Sequence, residues 1–542
     1  MIPRFRSLAI LGALAAVGCS GAPQRPACPA GRVCLEYGNT SDPNSLDPAK
    51  VSLVSETVVV GDLMVGLIED GPDGRPVPGV ARSWETSKDG LVWTFHLRPA
   101  LWSDGAPVTA DDFVFALRRV LDPKTAAPYA YLLYLLKNGE AVNGGHADPA
   151  QLGARAIDAR TLQLTLEHPA PHLLQIAKHA SMYPVPSHAV RRWGDAWAQP
   201  AHYVSDGPYL PVAWKLGDHI AAVKNPRFYD AAHVCVDQID YYPTNDAVSA
   251  ERRTLRGELD INTSILSTRV AYLRRTAQAA AYVRIHPYLS VVYLPFNTRD
   301  VAALRDVRVR QALSLAIDRE FLTGKLLRAG QIPAYAFAPP GVAGYPSGPR
   351  AGWADWPLAR RQAQARRLLA QAGYGPARPL QLELKFPNSS DLVTLTPAIQ
   401  ADWASIGVKA ALVQNEFQVA YDEFKNRDFQ VGAGSWIADF DDASTFLDLM
   451  RSKTGQQNYA DYSNPAYDAL LDRAEREPDV GRRASLLAKA EQMMLDDAPV
   501  APLYFTVSRN LVSPKLTGWT GNALDIHRAR YLCVTRAGAR GP

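Results

Sequence analysis

The segment Ser435 to Leu449, SWIADFDDASTFLDL, places Asp439, Asp441 and Asp442 directly behind Trp436 and a run of small residues. Three carboxylates buried together repel one another, so at most one is expected to enter a closed site while the others face water or cap the following helix. A single carboxylate withdrawn from water beside an indole ring is a receptor for an ammonium group. Asp439 is the candidate for that role, and Asp442 is expected to face solvent. The same acids also suit an ordinary turn before a helix, whose N-terminal dipole favours negative charge. The segment alone does not choose between the two.

Other chemistry is thinly represented. The chain has no HExxH and no GxSxG; Gly324-Lys325 is followed by Leu326 and lacks the leading glycine of a phosphate loop, and Gly432-Ala433-Gly434 lacks the third glycine of a dinucleotide fingerprint. His168, His172 and His179 lie close in sequence, but surface or capping roles are expected of them ahead of metal ligation. No nucleophile, base and orienting acid stand at a spacing that singles them out. Catalysis, a metal and a cofactor are therefore not expected.

The elements that must position the acidic segment are mixed α and β. Trp93 to Leu97 and Leu162 to Leu166 alternate apolar and polar as half-buried strands do, while Val309, Leu313, Ala316, Ile317 and Phe321 fall on one helical face. Leu368, Leu369 and Ala372 read as the core face of a helix that Gly373 terminates, and Leu486, Leu487, Ala490 and Met494 as another such face. At 542 residues and 47% hydrophobic composition the chain can bury a large core and divide into two or three domains. A formal charge of +4 is small for this length and implies neither nucleic acid nor an anionic membrane surface as partner.

The first residues read as an export signal. Arg4 and Arg6 precede an apolar run from Leu8 to Val17, too short to span a bilayer, and small residues lead to Cys19. Ala16-Val17-Gly18-Cys19 is similar to a bacterial lipobox, with alanine where leucine is usual, so Cys19 is expected to carry lipid; a plain signal cut nearby is the competing reading. Residues 21–29, rich in Pro, Gly and Ala, read as a tether. Cys28, Cys34, Cys235 and Cys533 remain, and in an exported chain they permit two disulfides with three possible connectivities.

An ordered series of segments resembles the oligopeptide and dipeptide receptors of ABC importers, solute-binding family 5. SLDPAK at Ser45 to Lys50 is followed by PGVARSWETSKDGLVWTFHLRPALWSDGAPVTADDFVFALRRVLDP from Pro78 to Pro123, then by TAAPYAYLL, VSDGPY, KNPRFYD, RGELDI, DVRVRQALSLAIDRE, WIADF, YSNPAYDALL and DDAPVAPLY. The resemblance implies a two-lobed α/β periplasmic binding protein fold of type II, cluster C, with an extra inserted α/β domain. It implies a signal peptide at 1–18, a lipid-anchored tether at 19–27, lobe I at 28–64, 189–289 and 505–542, the inserted domain at 65–188 and lobe II at 290–504. Hinge crossings are expected near Pro287 to Asn297 and Pro502 to Val507.

The function implied is the monomeric, periplasmic binding component of a peptide importer, which hands short peptides to an inner-membrane ABC permease and its ATPase subunits. By the same resemblance, Asp439 matches the aspartate that holds the peptide amino terminus. Backbone contacts are expected from Val54, Tyr129 and the run Gly434, Ser435, Trp436 and Ile437, with Trp436, Phe417 and Tyr504 walling side-chain pockets. Some members carry a disulfide at positions that match Ser290 and Ile437, so that bridge is absent here. The charges that meet the peptide carboxylate in some members match Val393 and Ala433, so length preference does not carry over. A non-peptide solute such as a nickel complex, haem or an oligosaccharide is the alternative within the fold; a periplasmic hydrolase or sensor is the more distant one.

The anchor is testable on its own. Cys19→Ala should move the protein from the membrane fraction to the soluble periplasmic fraction, and finding the unsubstituted protein already soluble would favour the plain signal cut.

Overall fold

The run Ser290 to Phe296, SVVYLPF, is almost unbroken in apolar residues because both its faces are covered. In the computed structural model it lies in a strand, Val283–Pro295, that pairs antiparallel with a second strand of 13 residues, Val500–Val512. Alternate residues enter two different cores: Val292, Leu294 and Phe296 pack into one, and Leu289, Val291 and Tyr293 into the other. The structure describes residues 28–346 and 348–535. Cys19 and the signal lie outside the described residues.

This pair sits within a nine-stranded mixed sheet. From one edge it runs Gly434–Ile437, Val283–Pro295, Val500–Val512, Ile261–Asn262, Cys34–Gly38, Gln238–Tyr242, His219–Lys224 and Tyr209–Lys215, with Ile332–Pro333 also pairing with Val500–Val512. A four-stranded antiparallel sheet holds Val92–Leu97 and Thr161–Thr165, the two strands that alternation predicts. A three-stranded parallel sheet is built from Lys409–Asn415, Gln381–Pro387 and Val431–Gly432. One continuous core joins the four-stranded sheet to the N-terminal end of the large sheet, from Leu35 through Phe95 and Trp102 to Tyr241 and Leu532.

The helix Leu358–Gln371 is followed by Gly373 at φ +84°, a left-handed turn that glycine makes without strain, as expected. In Val480–Asp497, Leu487, Ala490 and Met494 are buried and Leu486 partly so. The single helix expected through Phe321 is instead broken. Val307–Ala316 ends before Ile317, and the Asp318 carboxylate then accepts a hydrogen bond from the Phe321 N–H at 3.0 Å, starting a new turn. Val309, Leu313, Ala316 and Ile317 keep their core positions, while Phe321 is left 43% exposed and Arg319 is turned inward.

Of the three connectivities, the structure makes Cys28–Cys34 and Cys235–Cys533, with Cα atoms 5.8 and 5.4 Å apart. The second fastens the last short strand, Cys533–Val534, to a segment 298 residues earlier. Peptide mapping without reduction should recover these two linked pairs, and a fragment joining Cys34 to Cys235 or Cys533 would contradict the pairing.

Candidate ligand-binding site

The site is built on the edge strand of the large sheet, Gly434–Ile437, whose register pairs Ser290 with Ile437, Val291 with Trp436, Val292 with Ser435 and Tyr293 with Gly434. Ser290 and Ile437 thus stand opposite one another with no cysteine at either place. The Ala438 N–H donates to the Leu289 carbonyl at 2.8 Å, and bonding sides alternate along an antiparallel strand. Trp436 and Gly434 therefore bond the neighbouring strand, while the backbone groups of Ser435 and Ile437 face outward. The Ser435 N–H is met there by the Tyr421 hydroxyl at 3.1 Å.

Outward from that edge lies a cavity of about 420 Å³. Val54 reaches it from the first turn of the helix Val54–Leu63, half exposed. The buried carboxylate of Glu56 fixes that turn by accepting from the N–H groups of Ser52, Leu53 and Asn44 at 2.7, 2.9 and 2.9 Å. Tyr129 enters from the opposite wall, packed on His179 with ring centroids 4.5 Å apart. Phe417, Ser435, Trp436, Ile437 and Asp439 complete the set that the structure brings together.

Asp439 is held from both directions. Its backbone N–H donates to the Thr445 hydroxyl at 3.2 Å, and its carboxylate accepts from the Tyr131 hydroxyl at 2.7 Å and from the Tyr129 hydroxyl. Burial raises its pKa to about 6, more than the two hydroxyl bonds lower it. Among the described residues no cationic side chain pairs with it. Asp70 also lines the cavity, but Lys178 at 2.8 Å and Arg528 at 3.0 Å neutralise it. Asp525 lines it too, with Oδ1 bonded to the Asn510 amide and to His527 Nε2, each at 2.9 Å. Asp439, whose oxygens meet only tyrosine hydroxyls, is the carboxylate left for a positive group that the protein does not supply.

Several expectations need correcting. Tyr504 does not wall the cavity: it is 1% exposed and, paired with Val292, packs into the same core as that residue. Gly434 lies behind the cavity wall, and its Cα faces Tyr421 and Phe424. Asp442 does not face solvent. It is 5% exposed, and its two oxygens accept from Arg483 Nη1 at 2.6 Å and Nη2 at 2.8 Å, while Oδ1 also caps the Ser444 N–H. His172, expected at the surface or at a cap, holds the N-cap position of the short helix Leu173–Ile176 without a side-chain capping bond, and its ring stacks on Phe440 at 5.8 Å. Burial lowers its pKa to about 4, so it is neutral at ordinary pH. His179 does cap, accepting from the Ser181 N–H. Val393 and Ala433 place no charge in the cavity.

Tyr131 was not foreseen. Tyr129 and Tyr131, two apart in APYAYLL, both aim hydroxyls at one carboxylate, and that spacing was the available signal. Tyr421, which fills an edge position of the sheet, carried none.

Residues 75–458 match the family described as bacterial extracellular solute-binding proteins, family 5 middle. The chain belongs to that family. It is 36% identical over 529 residues to the periplasmic oligopeptide-binding protein OppA of Salmonella typhimurium, covering 95% of this chain and 96% of OppA. It is 35% identical to the probable deoxycholate-binding periplasmic protein YgiS of Escherichia coli, covering 90% of each. The solved structure of the Escherichia coli murein tripeptide binding protein MppA superposes with a TM-score of 0.84 at 34% identity, covering 94% of this chain and all but 1% of MppA. The two-lobed periplasmic binding protein fold is thus shared.

The Asp442–Arg483 pair yields a stability prediction. Burial alone raises a carboxyl pKa, but His172 and Arg483, with the hydrogen bonds, outweigh it and hold Asp442 at about 2. Since His172 is neutral above about 4, Arg483 is the cation that counts at neutral pH. A pKa below the unfolded value stabilises the fold above about pH 4, and that contribution is lost as pH falls toward 2. Asp442→Asn should lower unfolding free energy by roughly 3 to 5 kcal/mol at neutral pH, because it leaves Arg483 buried without its partner. It should also flatten the acid limb in urea titrations.

Proposed function

We propose that this protein is the binding component of a peptide ABC importer, capturing extended oligopeptides between its two lobes in the periplasm and delivering them to an inner-membrane permease. The observation that carries the proposal is Asp439, a carboxylate without a cation, standing at the end of an open strand edge. An ammonium group satisfies the first and a peptide backbone the second. The ligand amino terminus sits at Asp439 under Tyr129 and Tyr131. Its backbone runs antiparallel along Ile437 and then Ser435 toward Tyr421, and Trp436 and Phe417 offer apolar walls to its side chains.

The lobes and inserted domain follow the boundaries that the family resemblance implies. The hinge crosses at 287–297 and 502–507, where the paired long strands are interrupted by a bulge between Pro287 and Val291. The protein acts as a monomer without cofactor and releases its ligand unchanged. Similarity to a probable deoxycholate-binding protein supports a second reading, in which the same cavity takes an amphipathic solute; a steroid carboxylate would then have to approach Asp439, against its charge.

Calorimetry with a pool of short free-amine peptides should show one-to-one binding, and mass spectrometry should recover them uncut. Asp439→Asn should weaken binding by roughly 2 to 5 kcal/mol, at least about thirtyfold, and N-acetylated peptides should bind poorly and be almost indifferent to the substitution. Equal affinity for free and acetylated peptides would sink the amine-receptor reading.

Acid supplies a second test. With a free-state pKa of about 6, Asp439 is ionised above that value, and affinity is full from there up to about pH 8, where the peptide α-amino group begins to lose its proton. Below the Asp439 pKa a proton competes with the ammonium, and affinity for free-amine peptides should fall about tenfold per pH unit. A flat profile from pH 7 to 5 would place the amine elsewhere.

A further inference from the structure

A second cavity, of about 170 Å³, lies wholly within the segment 311–502 and shares no lining residue with the one that holds Asp439. Arg319, 1% exposed, forms part of its wall. A guanidinium carries five N–H groups. Four are spent on neutral oxygens: Nε on the Pro502 carbonyl at 2.8 Å, Nη1 on the Ser314 and Ile317 carbonyls at 2.9 and 3.4 Å, and Nη2 on the Ser314 hydroxyl at 3.0 Å. The fifth, on Nη2, has no acceptor among the described residues.

Among the described residues no carboxylate lies within ion-pair distance of this buried cation, although Glu320 and Asp402 act on it through space. Glu320 is taken by the Tyr335 hydroxyl and by Arg361 at 3.2 Å, and Asp402 accepts from the Asp318 N–H at 2.9 Å. Arg361, itself 3% exposed, adds a second buried positive charge and has an unpartnered Nε. The rings of Tyr335 and Trp353, centred 5.3 and 5.1 Å from the Arg319 guanidinium carbon, screen the charge without cancelling it. Asp496 at the rim is exposed, and its carboxylate accepts from the Gln492 amide at 2.8 Å. Two indoles, Trp353 and Trp356, line the same space, as does Gln364, whose amide has no hydrogen-bond partner among the described residues.

We propose that this cavity binds a small aromatic carboxylate. Its ring lies against Trp353 and Trp356, and its carboxylate accepts from the free N–H of Arg319 and from the Gln364 amide. Arg360 already lies over the Trp356 ring, 3.9 Å from its centroid, and Arg319 over Trp353, so a bound ring meets the remaining indole surface. An inorganic or aliphatic anion leaves that surface unused, and a neutral ring leaves Arg319 unpaired. The site is independent of the cavity holding Asp439, so the two readings stand or fall separately.

The probe is 4-fluorobenzoate, titrated into the full chain and followed by fluorine NMR. One saturable site is expected, with 4-fluorobenzyl alcohol binding at least about tenfold more weakly for want of the charge. Trp356→Ala and Gln364→Ala, both at half-buried positions, should each weaken the probe severalfold without changing thermal unfolding. Arg319→Lys should abolish binding if it folds, and the two rim variants carry the test if it does not. Asp439→Asn should leave probe affinity unchanged. Absence of saturable binding, equal binding of acid and alcohol, indifference to both rim variants, or loss of the probe in Asp439→Asn would each overturn the proposal.

Discussion

The pairing of Val283–Pro295 with Val500–Val512 is the constraint on which the remainder depends. Where residues 289–295 meet the partner strand both faces are buried and the pair cannot slip, because a shift of one residue would exchange the core of Leu294 and Phe296 with that of Val291 and Tyr293. The fixed register sets the position of Gly434–Ile437 at the sheet edge, and hence which of its backbone groups open onto the cavity. It also places the carbonyl of Pro502 under Arg319. Where the pairing lapses between Pro287 and Val291, the Leu289 N–H is taken instead by the Ala523 carbonyl. The C-terminal segment thereby braces the sheet at its weakest point.

The cavity shows how burial and charge divide labour among neighbouring acids. Asp439, Asp441 and Asp442 lie within four residues and have three environments. Asp442 is satisfied by an arginine, Asp441 accepts from the Ala343 N–H at 2.8 Å, and Asp439 has hydroxyls alone. Repulsion among them is avoided by pointing them apart, with Asp442 made part of the core and Asp439 left electrically incomplete. Rigid supports on both sides, Glu56 beneath Val54 and Thr445 beneath Asp439, keep the walls in place before any ligand arrives.

What was legible in the sequence follows from how local each signal is. Alternation found Val92–Leu97 and Thr161–Thr165, and a glycine found the end of Leu358–Gln371, because neighbours in sequence decide those features. The acidic segment behind Trp436 was visible for the same reason, and the family resemblance supplied Val54 and Phe417. Asp442 was misread because its partner lies 41 residues downstream. Tyr504 was misread because a strand buried on both faces carries no polar alternation to say which way a ring points. The break before Phe321 depends on one side chain, Asp318, competing with the backbone. The pairing of Cys235 with Cys533 spans 298 residues and leaves no local trace.

An unpaired strand edge invites the wrong partner as readily as the right one. Long, flat edges stack with those of other molecules and seed aggregates. Gly434–Ile437 is only four residues long, shares its cavity with Val54 and Tyr129, and has one of its outward donors already occupied by Tyr421. An edge this short, with a donor already occupied, offers another copy of the protein few hydrogen bonds with which to polymerise.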